Sequence, residues 1–467
     1  MDLVIKGGTV VLGEGAFPAD VGIVGERVAA VGQSLDGGRA IDATGCLVLP
    51  GGIDAHAHLA LTLGPDLAVS DDFESGTIAA ACGGTTTVIN YAEQCGYAGL
   101  TEALDAWQAR AEGRACVDYS FHMLIDDPRP DVIEEMATIV ERGVTSFKTL
   151  LAYKGIVMLD DAQLFRVLER ARDLGALVNV HAENGHLIDE LVTAGRAAGW
   201  TAPRYHALTR PEVAEAEATQ RALALAEAAG APIYVVHVTC ARAVEALRQA
   251  QARGQVAFGE TCPQYLLLDE GVYESEDFET AASYVLSPPL REKSNQAALW
   301  AALAAGTLQT VGTDHCPFTQ EQKARGRDDF THIPNGLPGI ETRMGLLYHH
   351  GVRAGRLSPS DWVRVTATNP ARLFGLYPRK GTLVPGSDAD VVIFDPNRRK
   401  MLDAEALHMN TDISPYAGWE VHGWPRDVLQ RGRFAVQDGE FVGQPGNGAF
   451  IARTTEVVTT NPSRAER

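Results

Sequence analysis

Short apolar segments separated by glycines open the chain, and the same texture returns near its end. The segments are 3–5, 21–24, 28–31 and 46–49 at the start, and 390–394, 428–431 and 441–442 after residue 374. Such short runs between turn residues are typical of antiparallel strands. We therefore predict one small β-sandwich domain made from both chain ends, residues 1–51 and 376–453, followed by a polar tail at 454–467.

Between these ends, buried-type strand runs alternate with longer helical patterns. The strand runs are 52–56, 85–91, 117–123, 144–150, 177–181, 233–237, 255–260 and 310–314. Eight strands that are each followed by a helical segment predict an α/β fold, a closed (β/α)8 TIM barrel over residues 52–375. In one intervening helix we expect Ser70 or Asp71 to cap the start, and Gly83 with Gly84 to end it.

Composition and charge limit the classes of partner that this protein can bind. Its 467 residues are 45% hydrophobic and 21% charged, which excludes the fibrous and disordered classes. The 40 basic and 60 acidic residues give a net charge of -20, which repels nucleic acid and anionic membranes. A small neutral ligand is therefore the favoured partner.

The sequence also carries signals about location. Its start lacks a basic stretch followed by an apolar core, and no apolar run approaches the roughly 20 residues of a membrane span. The seven cysteines are scattered without a Cys-x-x-Cys pair, which is typical of reduced thiols. We therefore predict a cytoplasmic protein.

Imidazole and carboxylate groups recur where the predicted barrel strands end. His56 and His58 are two residues apart, so both side chains point to the same side of the first strand. His181, His237 and Asp314 end three further strands, at the carboxyl-terminal rim where active sites of this fold lie. Nitrogen and oxygen donors of this kind indicate a zinc-type site.

Three more residues near this rim each have two interpretations. His122 and His315 could be metal ligands by position, or could make hydrogen bonds. Lys148 ends a largely apolar strand, where an unpaired ammonium is costly to bury. It could form an ion pair or reach solvent, or its neutral amine could capture carbon dioxide as a carbamate that bridges two metals.

Several longer motifs follow one another in a specific order. They are PGGIDAHAH at 50–58, SFK at 146–148, HAEN at 181–184, SPPLR at 287–291, GTDHCPF at 312–318 and IPNG at 333–336. Together they resemble the dihydropyrimidinase and D-hydantoinase group of the cyclic amidohydrolases, within the urease-related amidohydrolase superfamily. The resemblance implies hydrolysis of the cyclic amide C–N bond in dihydropyrimidines or 5-substituted hydantoins, which gives N-carbamoyl amino acids.

The resemblance also implies a centre of two divalent metal ions, usually zinc. Lys148, carboxylated by carbon dioxide, would bridge the two ions. The other ligands would be His56, His58 and Asp314 for the first ion, and His181 and His237 for the second. The charge of two dications exceeds that of the carbamate and Asp314, which favours a bridging hydroxide as the nucleophile.

For catalysis, the resemblance gives roles to four residues. Asp314 would take the proton of the hydroxide and pass it to the leaving ring nitrogen. Tyr153 would donate a hydrogen bond to the oxyanion. Backbone groups of Ser287 and Asn335 would hold the imide or ureide edge of the ring.

Two loops, 61–70 and 155–159, resemble those that line the substituent pocket of hydantoinases. Leu63, Leu67 and Leu159 make these loops apolar, which suits an unsubstituted ring face or an aromatic substituent. The same side chains could instead pack the loops against the barrel.

Three other functions are less favoured by the sequence. Dihydroorotases carry an arginine where this chain has Ala60. Allantoinases would use the same metal ligands, but the motif at 287–291 is closer to the dihydropyrimidinase pattern. A non-catalytic dihydropyrimidinase-like scaffold protein would have lost metal ligands, and here all of these positions are filled. Because relatives are usually homotetramers, we expect a homotetramer or a dimer.

Overall fold

The glycine-separated segments at the two chain ends form two β-sheets in the computed structural model, which describes residues 1–64 and 66–455. The strands before the barrel are β1 Leu3–Lys6, β2 Thr9–Leu12, β3 Gly15–Pro18, β4 Asp20–Val24, β5 Arg27–Gly32, β6 Arg39–Asp42 and β7 Leu47–Pro50. The strands after the barrel are β16 Val391–Met401, β17 Glu420–Gln430, β18 Arg433–Gln437 and β19 Glu440–Phe441. One sheet has the order β5-β4-β1-β6, and the other has the order β19-β18-β17-β16-β7-β2-β3.

The second sheet joins the two chain ends, as the sequence predicts. Strand β7 pairs antiparallel with β16, with Pro50 opposite Val391. The expectation of purely antiparallel pairing is wrong, because β1 pairs parallel with β6 and β2 pairs parallel with β7. Hairpin signals specify the direction of strands that are neighbours in sequence, whereas these partners are separated by other strands. Val10, Val48 and Val391 lie in a core that both chain ends build.

Eight parallel strands form the barrel, in sequence order around the sheet. They are β8 Gly52–Ala57, β9 Thr85–Glu93, β10 Asp118–Leu124, β11 Ser146–Leu150, β12 Leu177–His181, β13 Ile233–Val235, β14 Ala257–Thr261 and β15 Thr310–Val311. A parallel bridge between Ala57 and His315 brings the first strand to the segment that follows the last. There the Asp314 amide donates to the His56 carbonyl at 2.9 Å, and the His58 amide donates to the His315 carbonyl at 2.9 Å.

Helices connect these strands and cover the barrel. The α-helices are α1 Phe73–Cys82, α2 Leu100–Ala111, α3 Pro130–Glu141, α4 Asp161–Asp173, α5 Gly185–Ala197, α6 Arg204–Leu208, α7 Glu212–Ala229, α8 Ala241–Ala252, α9 Pro263–Leu267, α10 Phe278–Ser283, α11 Ser294–Ala305, α12 Gln320–Lys323, α13 Arg343–Leu347, α14 Pro359–Val363 and α15 Asn369–Leu373. Short 3₁₀ turns span Glu270–Glu274, Ala324–Gly326, Phe330–His332 and Ala404–Ala406, and π turns span Tyr348–Val352 and Arg364–Thr368. Among the described helices, none combines the length and apolar character that crossing a membrane requires.

The start of α1 differs by one or two residues from the prediction. Asp72 is the N-cap, and its carboxylate accepts hydrogen bonds from the Glu74 and Ser75 amides at 2.8 and 3.0 Å. The predicted cap Asp71 is fully buried and contacts the His315 ring at 3.0 Å. Asp71 is therefore unavailable as the N-cap of α1, because its side chain contacts His315, which is distant in sequence.

The end of the described chain returns to the barrel. The amide of Tyr119 in β10 donates to the Ala449 carbonyl at 3.0 Å, and the Thr454 amide donates to the Gly375 carbonyl at 3.2 Å. Of the predicted tail at 454–467, residues 456–467 lie outside the described residues.

A buried lysine connects the barrel to the sheet of the chain ends. The ammonium of Lys380 is 2.6 Å from an oxygen of Asp118 and 2.6 Å from one of Asp390, and 3.0 Å from Asp388. Asp118 begins β10, whereas Asp390 immediately precedes β16. Burial opposes the charge of Lys380, but the three carboxylates raise its pKa.

We expect Lys380→Met to lower the free energy of unfolding by ~3–5 kcal/mol, because it removes the buried cation that Asp118, Asp388 and Asp390 share. Urea unfolding of the variant measures the loss. The matched control is Lys6→Met, since the side chain of Lys6 is 41% exposed and its contact with Asp36 is at the surface. Equal stabilities of the two variants would contradict a stabilising role for the junction.

Candidate metal centre and active site

The residues predicted as metal ligands come together at the carboxyl-terminal rim of the barrel. His56 lies in β8, Lys148 in β11, and His181 is the last residue of β12. His237 and Asp314 follow β13 and β15 after short extensions of these strands. Parallel strands of one barrel end at the same rim, so residues far apart in sequence meet there.

Asp314 contacts both His56 and His58. The Oδ1 atom of Asp314 is 3.0 Å from His56 Nε2 and 3.1 Å from His58 Nε2. The buried His56 Nε2 has no aligned hydrogen-bond partner within the described residues, and neither does His58 Nδ1. Ligands at 2.0–2.2 Å from a tetrahedral ion are spaced about 3.3 Å apart, and the two distances from Asp314 Oδ1 to the imidazole nitrogens are close to that spacing.

His181 and His237 extend this group on the other side. Their ring centroids are 4.6 Å apart, and the rings of His237 and His56 are 5.4 Å apart. Ligand atoms of His56, His237 and Asp314 all lie within 4.8 Å of one another. Burial lowers the pKa of His237 and also that of His181, which favours the neutral rings that metals bind.

Lys148 lies beside the same cluster. It is 3% exposed, and its ammonium is 4.7 Å from the centre of the Tyr91 ring. Within residues 1–64 and 66–455, it makes neither a side-chain hydrogen bond nor an ion pair. Burial lowers the pKa of Lys148 to about 8, although Asp314 and Glu260 act in the opposite direction. The ion pair that the sequence left open for this lysine is therefore not formed.

Two glutamates that the sequence analysis missed orient the histidines. Glu260 Oε1 is 2.5 Å from His56 Nδ1, and Glu183 Oε2 is 2.8 Å from His181 Nε2. A carboxylate on one ring nitrogen fixes the ring and directs the other nitrogen to a metal. Both residues carried a signal, because Glu260 ends an apolar strand run and Glu183 lies in the motif after His181.

The carboxylates of Asp314 and Glu260 favour a positive charge at His56. Burial opposes a charged His56 ring, but Asp314 and Glu260 raise the pKa of His56 to about 9. Despite its burial, Asp314 has a pKa well below its ordinary range because His56 is close. The carboxylates beside His56 therefore favour a positive charge at this position, which a metal cation can supply.

The two other histidines near the rim have different partners. The ring of His122 contacts the Ser146 hydroxyl at 2.5 Å and the Ala55 carbonyl at 3.0 Å. His315 contacts Asp71 and accepts a hydrogen bond from the Gly339 amide at 3.1 Å. The structure therefore shows that His122 and His315 make hydrogen bonds, which is one of the two interpretations that the sequence allowed.

Tyr153 lies near Ser287 and Asn335, whose side chains influence its pKa. Burial raises the pKa of Tyr153, while contacts with Arg210, Ser287 and Asn335 lower it in part. The phenol therefore stays protonated and can donate a hydrogen bond. Tyr153 and Asn335 line a cavity of about 160 Å³, and the guanidinium of Arg210 lies 5.4 Å from the centre of the Tyr153 ring.

The backbone is strained at three of the predicted site residues. Tyr153, His237 and Asp314 have φ angles of 63°, 38° and 52°, in the left-handed region that residues other than glycine rarely adopt. Strain of this kind clusters at functional sites, where surrounding contacts hold it.

The three leucines predicted for the substituent pocket have different environments. Leu63 is 43% exposed, whereas Leu67 is half-buried against the main core. The loop that carries them is closed by a hydrogen bond of 2.7 Å from the Leu63 amide to the Leu67 carbonyl. Leu159 is 1% exposed and belongs to the main core, so a role for it in the pocket stays a prediction.

Known proteins are similar to this one over nearly the full chain. Residues 47–435 match the family described as the amidohydrolase family. The D-hydantoinase of Geobacillus stearothermophilus is 49% identical over 97% of each chain. That of Streptomyces coelicolor is 47% identical over 97% of this chain and 98% of its own. The crystal structure of a dihydropyrimidinase from Brevibacillus agri superposes with a TM-score of 0.96 at 48% identity, covering 97% of this chain and 99% of its own.

This chain belongs to the amidohydrolase family. Membership implies a hydrolase with a binuclear divalent metal centre. The residues of this amidohydrolase fit such a centre, because imidazoles and a carboxylate converge, and among the described residues two buried nitrogen atoms of these imidazoles have no hydrogen-bond partner.

Proposed function

We propose that this amidohydrolase hydrolyses the ring C–N amide bond of 5-substituted hydantoins and of dihydropyrimidines, and forms N-carbamoyl amino acids. The observation that carries the proposal is the contact of Asp314 with His56 and His58 near the buried Lys148, which has no ion-pair partner among residues 1–64 and 66–455. The relatives named D-hydantoinase support a preference for the D enantiomer of the substrate.

The proposed centre holds two zinc ions. Lys148 carries a carboxylate derived from carbon dioxide, which gives the buried amine a bidentate anion in place of an uncompensated charge. The remaining ligands are His56, His58 and Asp314 for one ion, and His181 and His237 for the other. When bound, such ions polarise a carbonyl oxygen and make a water acidic enough to react near neutral pH.

Asp314 and Tyr153 are the proposed catalytic residues. The carboxylate of Asp314 is anionic and lies beside His56 and His58, so it can accept a proton from the attacking water. The same carboxylate then delivers that proton to the leaving ring nitrogen. The phenol of Tyr153 donates a hydrogen bond to the carbonyl oxygen as negative charge develops on it.

Ring recognition is proposed for the backbone groups of Ser287 and Asn335, because Asn335 lines the same cavity as Tyr153. Selection of the 5-substituent is proposed for Leu63, Leu67 and Leu159. Leu63 is the best placed of these to meet a ligand, since it is the most exposed.

We further propose a cytoplasmic homotetramer or dimer. All seven cysteines are free in the structure, which is compatible with a reducing compartment. Each subunit would consist of a barrel domain at 52–375 and one sandwich domain from 1–51 and 376–453.

A panel of substrates tests the proposed function. Purified, zinc-loaded protein is assayed with dihydrouracil, hydantoin, D- and L-5-phenylhydantoin, allantoin and dihydroorotate. We expect turnover of the hydantoins and dihydrouracil, with D- preferred over L-5-phenylhydantoin. Turnover of allantoin or dihydroorotate alone would contradict the proposal.

Removal of the bridging side chain should empty the centre. We expect Lys148→Ala to lose bound zinc and activity together, with short carboxylic acids restoring part of both because they replace the bridging anion. Metal analysis of the purified protein measures the loss, and Lys293→Ala, on the exposed start of α11, is the control. Full zinc content and activity in Lys148→Ala would exclude the bridge.

Removal of the phenol should slow the chemical step alone. We expect Tyr153→Phe to lower kcat by about 10²- to 10³-fold, the usual cost of one oxyanion donor, with zinc content intact. Steady-state kinetics with 5-phenylhydantoin measure the effect. Tyr97→Phe, whose hydroxyl binds Arg110, is the matched control. An unchanged kcat in Tyr153→Phe would remove the phenol from the mechanism.

A further inference from the structure

Besides Lys380, a second buried lysine, Lys323, lies outside the metal cluster. Lys323 ends α12 and is 1% exposed. Its ammonium donates hydrogen bonds to the carbonyls of Val285 at 2.7 Å, Pro334 at 2.7 Å and Gly336 at 2.9 Å. These carbonyls lie within two residues of Ser287 and on both sides of Asn335. Lys323 therefore connects the two loops whose backbone groups are proposed to hold the substrate ring.

The surroundings of Lys323 match an ammonium group. Among the described residues it has no carboxylate in ion-pair contact, and burial lowers its pKa to about 7. An ammonium has three N–H donors for the three carbonyl oxygens, whereas a neutral amine has two donors and a lone pair. Three acceptors from two loops therefore replace the usual carboxylate partner of a buried lysine.

Within the described residues, one backbone hydrogen bond also links these loops. The Gly336 amide donates to the Val285 carbonyl at 3.0 Å, and this is their direct backbone link. Neither Ser287 nor Asn335 belongs to a helix or strand. A backbone segment without regular structure depends on side chains to satisfy and align its carbonyls.

The segment around Lys323 also contacts the predicted substituent loop. The Gln322 side chain donates to the Ala68 carbonyl at 2.7 Å, and Arg325 donates to the Asp66 carbonyl at 2.6 Å. Side chains of one short segment thus contact all three loops. Those of Gln322 and Arg325 reach the 61–70 loop, whereas Lys323 alone of the three reaches the carbonyls next to Ser287 and Asn335.

We propose that Lys323 is a positioning residue that sets the spacing of the Ser287 and Asn335 loops and so tunes binding of the substrate ring. The part on ring binding rests on the function proposed above. The part on loop spacing rests on the three hydrogen bonds alone.

Kinetics of Lys323→Met in the zinc-loaded, full-length protein test the effect on ring binding. We expect KM to rise at least about tenfold for both hydantoin and D-5-phenylhydantoin, by a similar factor. The change should fall on KM, with kcat within about threefold and two zinc ions per chain retained. Lys323→Gln, which keeps two donors, should give an intermediate KM, and Lys6→Met should behave as the unsubstituted protein. Unchanged KM values in both Lys323 variants would overturn the proposal.

Hydrogen exchange of the same proteins tests the loops independently of activity. We expect faster amide exchange in peptides covering 283–290 and 333–338, and unchanged exchange in a peptide covering 3–12. Should Lys323→Met fail to fold, Lys323→Gln decides both measurements. Unaltered exchange in these two loops overturns the proposal even if activity falls. Faster exchange in a protein that hydrolyses no hydantoin would instead refute the proposed function and keep the loop role.

Discussion

The structure depends on how eight parallel strands end at one rim. Each strand can deliver one or two side chains there, and the surrounding barrel excludes water from them. The result is a buried set of imidazoles, a carboxylate and an amine that do not fully satisfy one another: among the described residues, His56 Nε2 has no well-aligned hydrogen-bond partner and Lys148 has no ion-pair partner. Two dications with a carbamate would resolve both problems at once, which is why the proposed centre explains the arrangement better than structural ion pairs do.

The other two buried lysines, Lys380 and Lys323, each have polar partners, but of different kinds. Lys380 is surrounded by Asp118, Asp388 and Asp390, so its charge is balanced and holds two parts of the chain together. Lys323 has backbone carbonyls as its only hydrogen-bond acceptors among the described residues. Within the part of the chain that the structure describes, Lys148 has neither kind of partner. The three buried lysines therefore differ in what surrounds the ammonium: carboxylates at Lys380, backbone carbonyls at Lys323, and neither of these at Lys148.

Much of the fold follows from local patterns in the sequence. The barrel strands are observed within about two residues of their predicted starts, because an apolar run between a helix end and a polar rim residue has few alternatives. Pairing direction in the end sheets could not be predicted, since β1 meets β6 only after other strands intervene. The cap of α1 was displaced because Asp71 has a distant partner, His315.

In the candidate site too, some residues could be predicted from the sequence and others could not. Residues that the motifs mark, such as His56 and Asp314, were found from spacing and resemblance. Glu260 and Lys323 were not, because their importance comes from partners far away in sequence: His56 for the glutamate, and the carbonyls beside Ser287 and Asn335 for the lysine. Groups that support a site are recognised by their contacts, which only the folded chain reveals.

Anomalous X-ray diffraction at the zinc edge tests the central claim most directly, on crystals grown with zinc and bicarbonate. The account predicts two anomalous peaks between the imidazoles, with density for a carboxylate continuous with Lys148 Nζ. A bare lysine amine with no anomalous scatterer among these side chains would contradict it.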